Sequence, residues 1–89
     1  MKEKQLFTYD FEAYQPYNSR SKSNIESECA DITFINSTDG EVFINNFLLA
    51  INGTLVLGAN QNELNVSKFQ LTNSTSTTGN VYVIRKRYL

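Results

Sequence analysis

The sequence predicts an all-β fold, a small antiparallel sandwich, and three observations predict it. Short β-branched and aromatic runs recur at regular spacing from Asp31 to the end of the chain. Asp39-Gly40, Asn52-Gly53 and Gly79-Asn80 punctuate those runs with residues that accept positive backbone angles. No window of helical length keeps an apolar period near 3.6, which sets aside all-α and α/β arrangements.

The elements follow in order. Leu6 to Phe11 alternates as one strand, with Phe7, Tyr9 and Phe11 on one face. Tyr14 to Asn24 holds the single proline and a polar, mildly basic run, so it reads as an extended connection. Asp31 to Asn36 is a strand, Asp39-Gly40 supplies a tight hairpin turn, and Glu41 to Asn45 returns from it. After a break at Asn45-Asn46, Phe47 to Ile51 leads to Asn52-Gly53, read as a second hairpin turn, and Thr54 to Leu57 returns. Gly58 to Ser67 is a polar connection, within which Glu63 to Val66 suits a short strand or a helical turn. Lys68 to Thr72 and Val81 to Tyr88 complete the series. The expected inward residues are Ile32, Phe34, Val42, Ile44, Leu49, Ile51, Leu55, Leu57, Phe69, Leu71, Val81 and Val83. A jelly-roll-like topology is one way to connect such strands.

The chain divides at about residue 30. Residues 31–89 are expected to form the sandwich domain. Residues 1–30 are expected to form an extended N-terminal arm whose aromatics Phe7, Tyr9, Phe11 and Tyr14 are too many for a solvated tail. On that division, deleting residues 2–24 should abolish assembly and leave a folded β domain.

Composition excludes much chemistry. Histidine and tryptophan are absent and Cys29 is the single cysteine, so imidazole catalysis, Cys-rich zinc sites and internal disulfides are set aside. No enzyme activity and no cofactor or metal is expected. Eight Lys plus Arg against nine Asp plus Glu give a net charge of −1, which offers no global attraction to nucleic acid. Between Val42 and Ile84 the charged residues are Glu63 and Lys68 alone, and Asn, Ser and Thr make up 27 of the 89 residues. A surface so poor in charge is solvated by amides and hydroxyls or covered by partners. The longest apolar run, Phe47 to Ile51, is far short of a membrane span, and no secretion signal is visible, so a soluble chain made in a cytoplasm is expected.

Few residues invite a site. Arg85-Lys86-Arg87 is the densest charge, and on a strand Arg85 and Arg87 share a face while Lys86 points away with Tyr82, Ile84 and Tyr88. That pair could touch phosphate weakly; the plainer reading is an edge strand protected by charge or paired with acidic groups. Glu26, Glu28 and Asp31 lack the spacing of a calcium loop and read as a solvated face, or as partners of Arg20 and Lys22. Four Asn-X-Ser/Thr sequons, at Asn36, Asn52, Asn65 and Asn73, exceed the about two that this composition produces by chance, and without an export signal they are not read as glycosylation sites. Tyr9, Tyr14, Tyr17 and Tyr88, amphipathic residues near the ends of the chain, suit an interface.

The runs Asp31 to Asn45, Ile51 to Leu57 and Val81 to Tyr88 resemble small all-β structural proteins of bacteriophage particles. The resemblance implies a homo-oligomeric virion subunit of the penton, vertex or minor capsid type, whose partners are copies of itself and other capsid proteins. The interface residues expected on this reading are Phe7, Tyr9, Phe11, Tyr14, Tyr17, Arg85, Arg87 and Tyr88. The alternative is a carbohydrate- or receptor-binding module, such as a spike component, acting through loops at Asn60 to Asn65 and Asn73 to Asn80.

Overall fold

The computed structural model describes residues 6–15, 23–58, 63–73 and 78–89. They form eight strands: β1 (Phe7–Tyr14), β2 (Ser23–Glu26), β3 (Asp31–Thr38), β4 (Val42–Ile44), β5 (Phe47–Leu49), β6 (Thr54–Gly58), β7 (Lys68–Asn73) and β8 (Gly79–Tyr88). Two antiparallel four-stranded sheets result, in the orders β1-β8-β3-β6 and β2-β7-β4-β5. The chain is all-β, as its alternating runs predict.

Alternation decides what lies between the sheets. Ile32 and Phe34 of β3 and Val81 and Val83 of β8 point inward from the first sheet. Ile25, Val42, Ile44, Leu49, Phe69 and Leu71 meet them from the second, with Cys29 joining the same core. The rings of Phe34 and Phe69 meet edge to face across the layers at 5.2 Å. Each such buried side chain contributes about 2 kcal/mol from removed apolar area. Leu55, Leu57 and Tyr14 close the flanks of the core half-buried, whereas Ile51, expected inside, lies in a turn and is half-exposed. An edge strand or a turn has a neighbour on one side only, which is why these positions stay open.

The turns differ from the expected hairpins. Among the described strands, β4 and β5 are the one consecutive pair that are also neighbours, and their turn is Asn45-Asn46, with φ of 48° and 70°. Asn is the residue that tolerates two successive left-handed angles after glycine, so this break in the apolar pattern is the true two-residue hairpin. Asp39-Gly40 and Asn52-Gly53 instead carry the chain from one sheet to the other, since β3 and β6 lie in the first sheet and β4 and β5 in the second. Both corners are fastened by buried Asn36. Its amide nitrogen donates to the carbonyls of Gly40, Leu49 and Ala50 at 2.9, 3.0 and 3.1 Å, and its oxygen accepts from the Thr38 hydroxyl at 2.6 Å. A side chain that satisfies several corner carbonyls at once makes a sharp crossing stable where backbone pairing has stopped.

The arm expected over residues 1–30 needs correction. Residues 7–14 pair with β8 along their whole length, from Phe7 opposite Tyr88 to Tyr14 opposite Val81. Residues 23–26 pair with β7. They are therefore edge strands, one on each sheet, and the core crosses the boundary expected at residue 31 through Ile25 and Cys29. Beyond β2 the pairing resumes after Glu28, whose φ is 37°. There Cys29 and Asn65 exchange main-chain bonds of 3.1 and 2.7 Å, and the Ser27 hydroxyl donates to the Asn65 carbonyl at 2.8 Å.

Candidate functional site

The site grows out of the pairing of β1 with β8. Leu89 N–H donates to the Leu6 carbonyl at 3.0 Å, which fixes the phase of that ladder. By antiparallel alternation, Thr8, Asp10, Glu12 and Tyr14 then turn their main-chain groups toward β8, and Phe7, Tyr9, Phe11 and Ala13 turn theirs toward the free edge. The side chains divide the same way. Val81, Val83 and Arg85 are buried, so Tyr14, Glu12 and Asp10 opposite them face inward, and the odd-numbered residues of β1 face outward.

The outer face of the first sheet is largely apolar, and its described charges are Lys86 and, directly opposite it, Asp31. Phe11, Ile84, Thr33 and Val56 form one row across all four strands, and Ala13, Tyr82, Ile35 and Thr54 the next. Phe11 is 69% exposed, Val56 61%, Tyr9 54%, Phe7 43% and Tyr82 41%, so these side chains are not parts of the core. The rings of Phe7 and Tyr9 meet edge to face at 5.4 Å, and the Lys86 ammonium sits 4.3 Å over the Phe7 ring. A cation so placed is attracted by the negative face of the ring.

The inner side holds a charge network. Arg85 is 2% exposed, and its Nε donates to the Glu26 carbonyl at 2.7 Å, which ties β8 to β2 in the other sheet. Its Nη1 donates to Glu12 Oε1, and Asp10 lies 3.8 Å away. Glu12 Oε2 accepts from the Tyr14 hydroxyl at 2.6 Å, and Arg87 donates to Asp10 at 3.2 Å. The Tyr14 hydroxyl holds the Glu12 carboxyl below its usual value, aided by Arg85 and opposed by burial. Burial and the same bond to Glu12 push the Tyr14 phenol up. Burial disfavours the Arg85 cation, but Tyr14 and Glu12 outweigh it and leave the guanidinium above its ordinary range. The Cys29 thiol is likewise pushed up by burial, against the pull of Arg85. A buried arginine satisfied by a carboxylate and a carbonyl is a structural brace.

The expected site residues therefore separate. Phe7, Tyr9, Phe11 and Tyr88 share the outer face. Tyr14 and Arg85 lie on the inner side, and Arg85, for which a weak phosphate contact was the lesser expectation, is enclosed and ion-paired with Glu12 of its own chain. Arg87 is part-exposed beside Asp10. Tyr17, Arg20 and Lys22 lie outside the described residues, as do positions 59–62 and 74–77 of the two polar loops. Glu26 and Glu28 are exposed. Sequence reasoning missed Val56 as a member of the outer face; the two-sided apolar run Leu55-Val56-Leu57 was the signal for it. Among the described residues, no three Cys, Asp or Glu side chains converge as a metal site would require.

No protein-family model, curated protein or solved structure matches the chain.

Proposed function

We propose that the chain is a non-enzymatic structural subunit of a virus particle, assembling through the outer face of its first sheet. The observation that carries this reading is the exposed set Phe7, Tyr9, Phe11, Tyr82 and Val56 on one largely apolar face. Aromatic residues on such a face are characteristic of protein interfaces. The strand orders β1-β8-β3-β6 and β2-β7-β4-β5 support it, because they are those of an eight-stranded jelly roll, an arrangement used by viral capsid domains. A core of this size also gains from association, which is a common remedy for small domains without disulfides or metal. Its place on this reading is a penton, vertex or minor position within the virion, beside copies of itself and other capsid proteins.

Lectin domains use the same arrangement, and exposed tyrosine and phenylalanine suit sugar rings as well as protein. One experiment separates the two. Light scattering of the purified chain over a range of concentrations, with electron microscopy of the product, should give closed oligomers that Phe11→Asp dissolves. A chain that stays monomeric throughout and binds a glycan array saturably would overturn the assembly reading in favour of the binding module.

A further inference from the structure

Among the described residues no strand pairs with the outer edge of β1, and that edge carries more information than the face beside it. Of the four edge strands, β1 is the longest at eight residues; β6, β2 and β5 have five, four and three. It contains no proline, glycine or lysine, the residues that usually keep an edge from pairing. Its inward carboxylates, another deterrent, are occupied: Glu12 by Arg85 and Tyr14, and Asp10 by Arg87. The main-chain groups of Phe7, Tyr9, Phe11 and Ala13 point out from this edge, as the Leu89 to Leu6 bond dictates.

We propose that this edge pairs with the β1 edge of a second copy of the chain, antiparallel, about a two-fold axis at Tyr9. The proposal rests on the assembly reading above and names its partner and register. Only registers that set odd residues opposite odd residues join the two sets of outward main-chain groups. Of these, the register centred on Tyr9 sets Tyr9 opposite Tyr9 and Phe7 opposite Phe11, so all three aromatics meet an aromatic. It also sets Asp10 opposite Thr8 and Glu12 opposite Leu6. Centring on Asp10 instead opposes two aspartates, and centring on Phe11 opposes Asp10 to Glu12 twice, both unfavourable across a ladder. The two criteria, aromatic matching and separation of carboxylates, select one register. Phe7, Tyr9 and Phe11 with their symmetry mates make about six main-chain hydrogen bonds, and the two first sheets become one continuous eight-stranded sheet. The self-complementary patch is what a two-fold contact requires.

Cysteine pairing in the full chain tests it, with the wild-type chain, whose Cys29 is buried, as control. Directly opposed residues lie about 5.5 Å apart, within disulfide reach, while positions offset along the ladder do not. Under oxidised glutathione, Tyr9→Cys should link to itself. Phe7→Cys and Phe11→Cys should each stay unlinked alone and link when mixed. In the wild-type chain, amide exchange at Tyr9 and Phe11 should slow by about tenfold or more on raising the concentration through the dimer range. If light scattering shows an oligomer but Tyr9→Cys stays unlinked, or links instead to Val56→Cys on the opposite edge, this pairing is wrong and the assembly reading stands. If the chain is monomeric at every concentration, both fall.

Discussion

Replacing Glu12 by Gln isolates the brace between the sheets. The Arg85 side chain is 3% exposed and that of Glu12 42%, so the substitution leaves a guanidinium inside the protein with its principal counter-charge gone. Removing one partner of a fully buried pair costs about 3–5 kcal/mol. Solvent reaches Glu12, and the Glu26 carbonyl and Asp10 remain beside the cation, so the expected cost is reduced to about 2 kcal/mol. For a domain of this size that lowers Tm by about 8–16 °C. The effect has a definite pH dependence. The folded-state value of Glu12 is depressed, so its stabilisation is fully present above the ordinary carboxyl value of 4.5 and is lost as pH falls through the lower folded value. Thermal unfolding followed by circular dichroism from pH 7 to pH 3 reads both quantities. The gap between the two proteins should be widest near neutrality and narrow below about pH 4.5. Equal stability at pH 7, or a gap that does not change on acidification, would refute the brace.

Asn36→Ala removes the amide that fastens both sheet crossings and should cost about 3 kcal/mol, read as a lower urea midpoint; an unchanged midpoint would mean that the corners hold without it. Proline distinguishes the two sides of β1. Phe11→Pro should cost within about 1 kcal/mol, because that N–H faces the free edge, whereas Asp10→Pro should cost more than about 3 kcal/mol by breaking the ladder to β8. Similar losses at both positions would overturn the assigned phase. A chain lacking residues 2–14 should be unfolded by circular dichroism, since it loses β1 and the Glu12 partner of Arg85; a cooperatively folded product would restore the expected arm outside a domain that folds without it.

How much of this was legible depended on distance along the chain. Eleven of the twelve expected inward residues lie buried or half-buried, because period-two alternation is a local property of each strand. Ile51 failed because a turn, not a strand, ends the Phe47 run. The Asp39-Gly40 and Asn52-Gly53 dipeptides reported turns correctly but not what they connect, since the same backbone angles serve a hairpin and a crossing between layers. Ser23–Glu26 escaped notice because Ile25 is its single apolar residue and one residue has no period. Arg85 was in phase with Val81 and Val83, so its inward direction was readable. Its partner Glu12 was not, as nothing local links positions 73 residues apart.

β8 lies between β1 and β3 in the first sheet, although it is the last of the eight described strands along the chain. While it is still on the ribosome, β1 has no neighbour in its own sheet and one flank of β3 is open. Completion of this sheet therefore waits for β8, and during that interval the aromatic strand β1 lacks the neighbour it has in the finished sheet. On the assembly proposed above, neighbouring ribosomes on one message would bring such strands together early, so the timing of synthesis, as well as the finished surface, would bear on which molecules the protein joins.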